Sequence, residues 1–204
     1  PAPFNTLTGA VARLNSLGVS CAVVFELTSA SYTTPAETFP IVINAIAGAS
    51  ATNTITIRPA AGQPTPTISG SVASGALIKL NGADYVTIDG SNSGGTDRSL
   101  TITNSAATAP CAVWIASLGN GSGATNDVVK NCNINTSAAT AATAYGISVS
   151  GATIGSAGGD NDRFNINATT GEVTFKVSPN AEVPTDANLD NVYDITVHAK
   201  DGVF

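Results

Sequence analysis

Charge is the scarcest property of this chain. Only 11% of its 204 residues are Asp, Glu, Lys or Arg, against about 25% in a typical soluble domain. The exposed surface is therefore built largely from hydroxyl, amide and methyl groups, which set up little repulsion between copies. The 8 basic residues against 14 acidic ones form no basic run, so nothing is available to neutralise a phosphate backbone, and nucleic acid is excluded as a partner. Long apolar runs are missing too, and no stretch approaches the roughly 20 residues that a membrane-spanning helix needs. Methionine is absent and the first residue is Pro1, which is not a translation start, so a removed leader is expected.

Cysteine and histidine are equally sparse. Cys21, Cys111 and Cys132 are too widely spaced for zinc, whose ligands come in pairs two to four residues apart. Two readings stay open for Cys111 and Cys132: a disulfide between neighbouring turns in an oxidising compartment, or small buried core residues. His198 is the single histidine and no serine lies in a G-x-S-x-G context, so an activated nucleophile lacks its base. Glu26, Glu37, Asp84, Asp89, Asp97 and Asp127, with Arg13, Arg58, Lys79, Arg98 and Lys130, are scattered rather than convergent, which argues against acid–base catalysis. Asp84 and Asp89 come closest, flanking one strand, but both stand in turn contexts where Asp bonds its own backbone. Trp114 alternates with Val113 and Ile115, which turns its ring outward as a stacking surface for sugars. Thr-x-Thr runs at Thr54, Thr65 and Thr101 are too irregular in sequence to define a hydroxyl array, and β-propensity alone accounts for them.

What is present is short-period hydrophobic patterning. Leu7, Val11, Leu14 and Leu17 recur at helical spacing between a capping Asn5 or Thr6 and a terminating Gly18, which predicts one short amphipathic helix. Its role is to cover the open end of the strand-rich region after it. From Cys21 to Gly151, short runs alternate with Gly, Pro, Asn and Ser breakers, at 22–27, 54–57, 65–69, 76–80, 85–89, 100–103, 112–116, 127–135 and 146–149. Ile55/Ile57, Ile78/Leu80, Val86/Ile88 and Leu100/Ile102 alternate with polar residues, as strands with one buried face require. The segment "ALIKLNGADYVTIDG" from Ala76 is echoed by "AVWIASLGNGSGATNDVVKNCNI" from Ala112, which suggests coils stacked along an axis.

The segments "FNTLTGAVARLNSLGVSCAVVFEL", "NTITIRPAAG", "LIKLNGADYVTIDGS", "LTITNS" and "VVKNCNI" resemble right-handed parallel β-helix domains of large secreted bacterial surface proteins. From Gly158 the style changes, and "GGDNDRFNINATTGEVTFKVSPNAEVPTDANLDNVYDITVHAKDG" resembles part of a bacterial cadherin-like repeat. That likeness is carried by Phe164, Ile166, Thr170, Gly171, Val173, Tyr193, Val197, Asp201 and Gly202. It implies strands at 163–167, 172–177 and 193–199, with the strand after Asp201 missing. It also implies a calcium site involving Glu182 and Asp201, with Asp186 and Asp190 in the same acidic loop.

The expectation is therefore an all-β chain: a right-handed parallel β-helix with an N-terminal capping helix over 1–157, then a partial cadherin-like β-sandwich over 158–204. It reads as a secreted, non-enzymatic structural protein at the cell surface, a homo-oligomer or homopolymer joined through β-edges. The alternatives are a module that binds or cleaves polysaccharide, and a calcium-dependent adhesion repeat of a larger chain.

Overall fold

The computed structural model describes residues 4–62, 65–119, 121–137, 144–154, 164–166 and 173–178. Helix α1 (Leu7–Leu17) starts at Thr6, whose hydroxyl accepts from the Gly9 N–H, and ends where the Gly18 N–H donates to the Leu14 carbonyl. Leu7, Ala10, Val11 and Leu14 are its buried face. Leu17, expected on that face, is exposed, because Ala10 completes the stripe instead.

Twelve strands follow in three parallel sheets of four. The first sheet stacks β1 (Val23–Leu27), β4 (Ile55–Pro59), β7 (Val86–Asp89) and β10 (Val128–Lys130). The second stacks β2 (Ser31–Tyr32), β5 (Thr67–Gly70), β8 (Leu100–Asn104) and β11 (Cys132–Thr136). The third stacks β3 (Ile41–Asn44), β6 (Ala76–Asn81), β9 (Cys111–Ala116) and β12 (Tyr145–Ser150). The chain visits the sheets in rotation, so this is a parallel β-solenoid of about four turns, each about 35 residues long and within the range of solenoid repeats. The echo between residues 76–90 and 112–134 has a direct counterpart, since β6 pairs with β9 and β7 with β10.

Stacking in register places like residues above one another. Phe25, Ile57, Ile88 and Val129 form one inward column. Tyr32, Ile68, Ile102 and Ile134 form the second, and Ile41, Ile78, Val113 and Ile147 the third. The side chains of Ile57, Ile68, Ile78, Ile88 and Ile102 are completely buried, and burial of each contributes about 1.5–3 kcal/mol. In the third sheet the alternation slips: Leu77 and Ile78, then Ala112 and Val113, both face the core, while Ala76 and Cys111 join a second cluster with Trp114 and Ala116. Two consecutive inward residues at matching places in successive turns have the character of stacked bulges.

The sequence reading differs from the structure where strands bend. The run 127–135, expected as one strand, is two strands in different sheets, because Asn131 takes φ 56° and turns the chain between them. Gly90 sits against this corner, and a Cβ there would lie 1.9 Å from the Asn131 carbonyl oxygen. Strands β2 and β3 are not predicted by the patterning, being short and set among Pro and Thr. At another corner Asn104 is buried and donates to the carbonyls of Val72, Gly75 and Cys111 while accepting from the Val72 N–H. One amide thus satisfies backbone that the bend removes from the ladder.

The helix is bound to the first turn by polar contacts at both ends. The carboxylate of buried Glu37 accepts from the N–H groups of Leu7 and Thr8, each at 2.7 Å. These are two of the amides that an α-helix cannot pair internally, and a negative charge is favoured there. Further along, Asn15 donates to the Val42 carbonyl at 2.8 Å and accepts from the Asn44 N–H at 3.0 Å, which satisfies the outer edge of β3. In the C-terminal part, β13 (Phe164–Ile166) and β14 (Val173–Phe175) pair antiparallel. This is the expected hairpin; the third expected strand, at 193–199, lies outside the described residues, as does the rest of the expected sandwich from 179 onward.

Two outcomes are expected from this packing. Ile78→Ala should lower the unfolding free energy by about 2–5 kcal/mol, whereas Thr101→Ala on the outer face should stay within about 0.5 kcal/mol, as measured by urea titration. Glu37→Ala should cost about 1–3 kcal/mol by leaving helix amides unpaired, with hydrogen exchange accelerating at Leu7 and Thr8 before the solenoid core is affected.

Candidate functional site

The outer face of the first sheet carries an ordered column of charge. Glu26 pairs in register with Arg58, and Asp89 with Lys130. The β4–β7 register, continued by one residue, sets Asp89 beside Arg58. The column therefore reads Glu26, Arg58, Asp89, Lys130, alternating in sign from the first turn to the last. Its contacts include Arg58 to Glu26 at 2.8 Å and Lys130 to Asp89 at 3.2 Å. Burial works against the charge on Asp89, yet hydrogen bonds from Asn131 and the Ser91 N–H and the nearby Lys130 ammonium bring its carboxyl below the ordinary value. In the sequence each of these residues is visible only as an isolated charge. The signal that joins them is sign alternation at the turn repeat.

The remaining acids serve corners. Asp97 accepts from the hydroxyls of Ser91, Ser93 and Ser99 and from the Asn92 N–H, and the three hydroxyls hold its carboxyl well below the usual range. It organises the loop between β7 and β8. Asp84 accepts from the Thr125 N–H at 2.8 Å, and Asp127 accepts from the Val86 N–H at 2.8 Å, so both acids tie the third turn to the fourth. Burial, with a smaller contribution from the Asp84 charge, pushes the Asp127 carboxyl up to about 6 against the lowering effect of that N–H. Its second oxygen is enclosed without a partner. Among the described residues, no three His, Cys, Asp or Glu side chains are grouped to hold a metal ion. Glu182, Asp186, Asp190 and Asp201 lie outside the described residues, as does His198.

Trp114 does face outward, but it is only 9% exposed. Its indole N–H donates to the Ser150 hydroxyl at 2.8 Å, and the Lys79 ammonium lies 4.1 Å from the ring centroid. Tyr145 and Ile154 pack on the same cluster, so this ring is already covered. Cys111 stands on β9 and Cys132 on β11, and both thiols are free. They donate to the carbonyls of Val113 and Lys130 respectively, and burial raises each thiol to about 11, far from reactive thiolate behaviour. Two of the Thr-x-Thr runs do meet: Thr67 stacks on Thr101, with Ser31 and Asn133 at the ends of the column and Ser69, Thr103 and Asn135 beside it. The third run, at Thr54, belongs to another sheet.

The two ends of the solenoid differ. At the start, the helix leaves a groove of about 450 Å³ bounded by Phe4, Leu7, Val24, Phe25, Glu26 and Tyr32. At the finish, Ile147 and Val149 occupy inward positions of β12 yet are 43% and 74% exposed. No helix among the described residues is long and apolar enough to cross a membrane.

The sheets and their columns define the class as a parallel β-solenoid with a helical cap. Comparison with protein-family models, with curated proteins and with solved structures found no match.

Asp127 gives the fold a pH dependence of definite sign. A carboxyl whose folded-state value is raised takes up protons more readily when folded, so stability falls as pH rises from about 4 through about 6. Asp127→Asn should match the wild type near pH 4 and exceed it at pH 7, as followed by thermal unfolding across that range.

Proposed function

We propose that this chain is a secreted, non-enzymatic structural subunit of an extracellular filament, sheath or surface adhesin, and that it assembles through its β-edges. The observation that carries this reading is the asymmetry of the ends: Asn15 satisfies the first edge of the third sheet, whereas Ile147 and Val149 leave its last turn apolar and exposed. A parallel stack whose last strand leaves its inward apolar side chains exposed is extended by adding another strand. The sparse charge on the surface supports close association of copies.

The acids among the described residues support a structural role, since Glu37, Asp84, Asp97 and Asp127 all accept hydrogen bonds from backbone N–H groups. The likeness to right-handed β-helices of bacterial surface proteins supports the extracellular setting, and right-handed crossovers are the general rule for parallel strands. In this reading the segment from 158 onward is a cadherin-like module. Its calcium-dependent form would place Glu182, Asp186, Asp190 and Asp201 at the ligand loops.

A second reading has its own observation. The outer face of the second sheet presents Ser31, Thr67, Ser69, Thr101, Thr103 and Asn135 as an uncharged hydrogen-bonding lattice. Its rows repeat at the strand spacing of about 4.8 Å, which suits a polysaccharide of regularly repeating hydroxyls.

Negative-stain electron microscopy with light scattering, performed with and without a chelator, separates these readings. Filaments that survive chelation are expected for strand-joined subunits. Filaments lost on chelation would favour the calcium-dependent repeat, and a monomer in both conditions would overturn assembly and direct attention to glycan arrays.

A further inference from the structure

We propose that the β13–β14 hairpin docks across the last coil of its own chain and caps the end opposite the helix. The dock stands apart from the filament reading. Its consequence for assembly rests on that reading, because the hairpin would cover the end through which copies add.

The effect of a cap is read by comparing the two ends of the same columns. Ile41 and Ile147 are the first and last members of one inward column of the third sheet, with Ile78 and Val113 between. Ile43 and Val149 are the first and last members of the column beside it, with Leu80 and Ile115 between. Ile41 and Ile43 share a core with Leu7, Val11 and Leu14 of the helix and are 2% and 0% exposed, whereas Ile147 and Val149 are 43% and 74% exposed. Position and residue type match at the two ends, so the difference is the cover. The same loss reaches the other two sheets. Val129, Cys132 and Ile134 are only partly buried, while Ile88, Leu100 and Ile102, one coil earlier, are completely buried. Terminal turns of a solenoid need capping of this kind.

The hairpin supplies a complementary surface. Its register sets Phe164 opposite Phe175 and Ile166 opposite Val173, with Asn165 opposite Thr174 between them. Apolar and polar pairs thus alternate, as a ribbon with one face to bury requires. Val173 and Phe175 are 38% and 41% exposed. A lone two-stranded ribbon is marginal in water and gains stability by packing its apolar face on another surface.

The last coil is the exposed apolar surface nearest to it in sequence. Strand β12 ends at Ser150, and Ile154 packs back on the Trp114 cluster, which anchors the chain at that coil. Residues 155–163 can span roughly 30 Å, more than the length of about 20 Å of the six-residue β12. So short a tether holds the hairpin at an effective concentration on the order of mM, well above that of a second copy in dilute solution.

Hydrogen exchange on the full chain tests the dock, at a dilution where sedimentation velocity shows monomer. Val173→Asp places a charge in an apolar pair of the hairpin, and Thr174→Asp places one in the polar pair. Val173→Asp should accelerate exchange of the β12 amides at least about tenfold, a loss on the scale of one aliphatic burial. Thr174→Asp should leave β12 unchanged, and neither variant should affect β4. Val149→Ser should accelerate β12 by itself but add nothing in combination with Val173→Asp, because both remove one contact. The dock is overturned if Val173→Asp leaves β12 unchanged, if Thr174→Asp acts equally, or if the two substitutions add independently. No change at β12 is the result expected if residues from 179 onward cover the hairpin instead. Sedimentation velocity at higher concentration reads the consequence for assembly. Val173→Asp should assemble at a concentration lower by the same factor, since the open fraction sets the apparent affinity. If β12 responds as expected in a chain that never assembles, the dock stands and the filament reading fails.

Discussion

Parallel strands stacked in register govern everything else in this structure. A strand in such a stack has two neighbours, the turn before and the turn after, and its inward side chain needs a partner of matching size in both. This is why Ile55, Ile57, Ile68, Ile78, Ile88 and Ile102 recur at equivalent heights and are completely buried. It is also why the corners are specialised. Where the chain leaves one sheet for the next, its backbone groups leave the ladder, and Asn104, Asp84, Asp97 and Asp127 supply substitute partners. Polar side chains in this fold are mostly consumed by geometry of this sort.

The same constraint concentrates the unsolved problem at the two ends. An inner turn is satisfied above and below by construction, but among the described residues the first and last turns each have a strand neighbour on one side only. The chain treats them differently: an amphipathic helix with a capping carboxylate and an asparagine seals part of the first, while β12 leaves Ile147 and Val149 open. In the assembly proposed above, a sparse, hydroxyl-rich exterior between two such ends directs association to the ends.

Much of the architecture is legible because period-2 alternation and the echo between 76–90 and 112–134 are local patterns. What escapes is anything set by a corner. A residue such as Asn131, with φ 56°, turns one apparent strand into two, and no periodicity marks it. The slip that sends both Leu77 and Ile78 inward is hidden for the same reason. At the candidate site, Glu26, Arg58, Asp89 and Lys130 can all be picked out as charges, yet their alignment depends on turn lengths that vary from one coil to the next. The outward direction of Trp114 is legible in its alternation with Val113 and Ile115, but its cover by Lys79, Tyr145 and Ile154 comes from residues distant in sequence.

The placement of Glu37 has a consequence in time. During synthesis the segment Leu7–Leu17 emerges well before the carboxylate that receives its leading amides, and before Val42 and Asn44, which receive Asn15. An isolated helix of this length is marginal in water, so the cap forms only once the first coil has been made. Every later strand finds its template about one coil back along the chain, a modest loop to close. Winding thus proceeds from the amino-terminal end in step with translation, each coil laid down on the one before it.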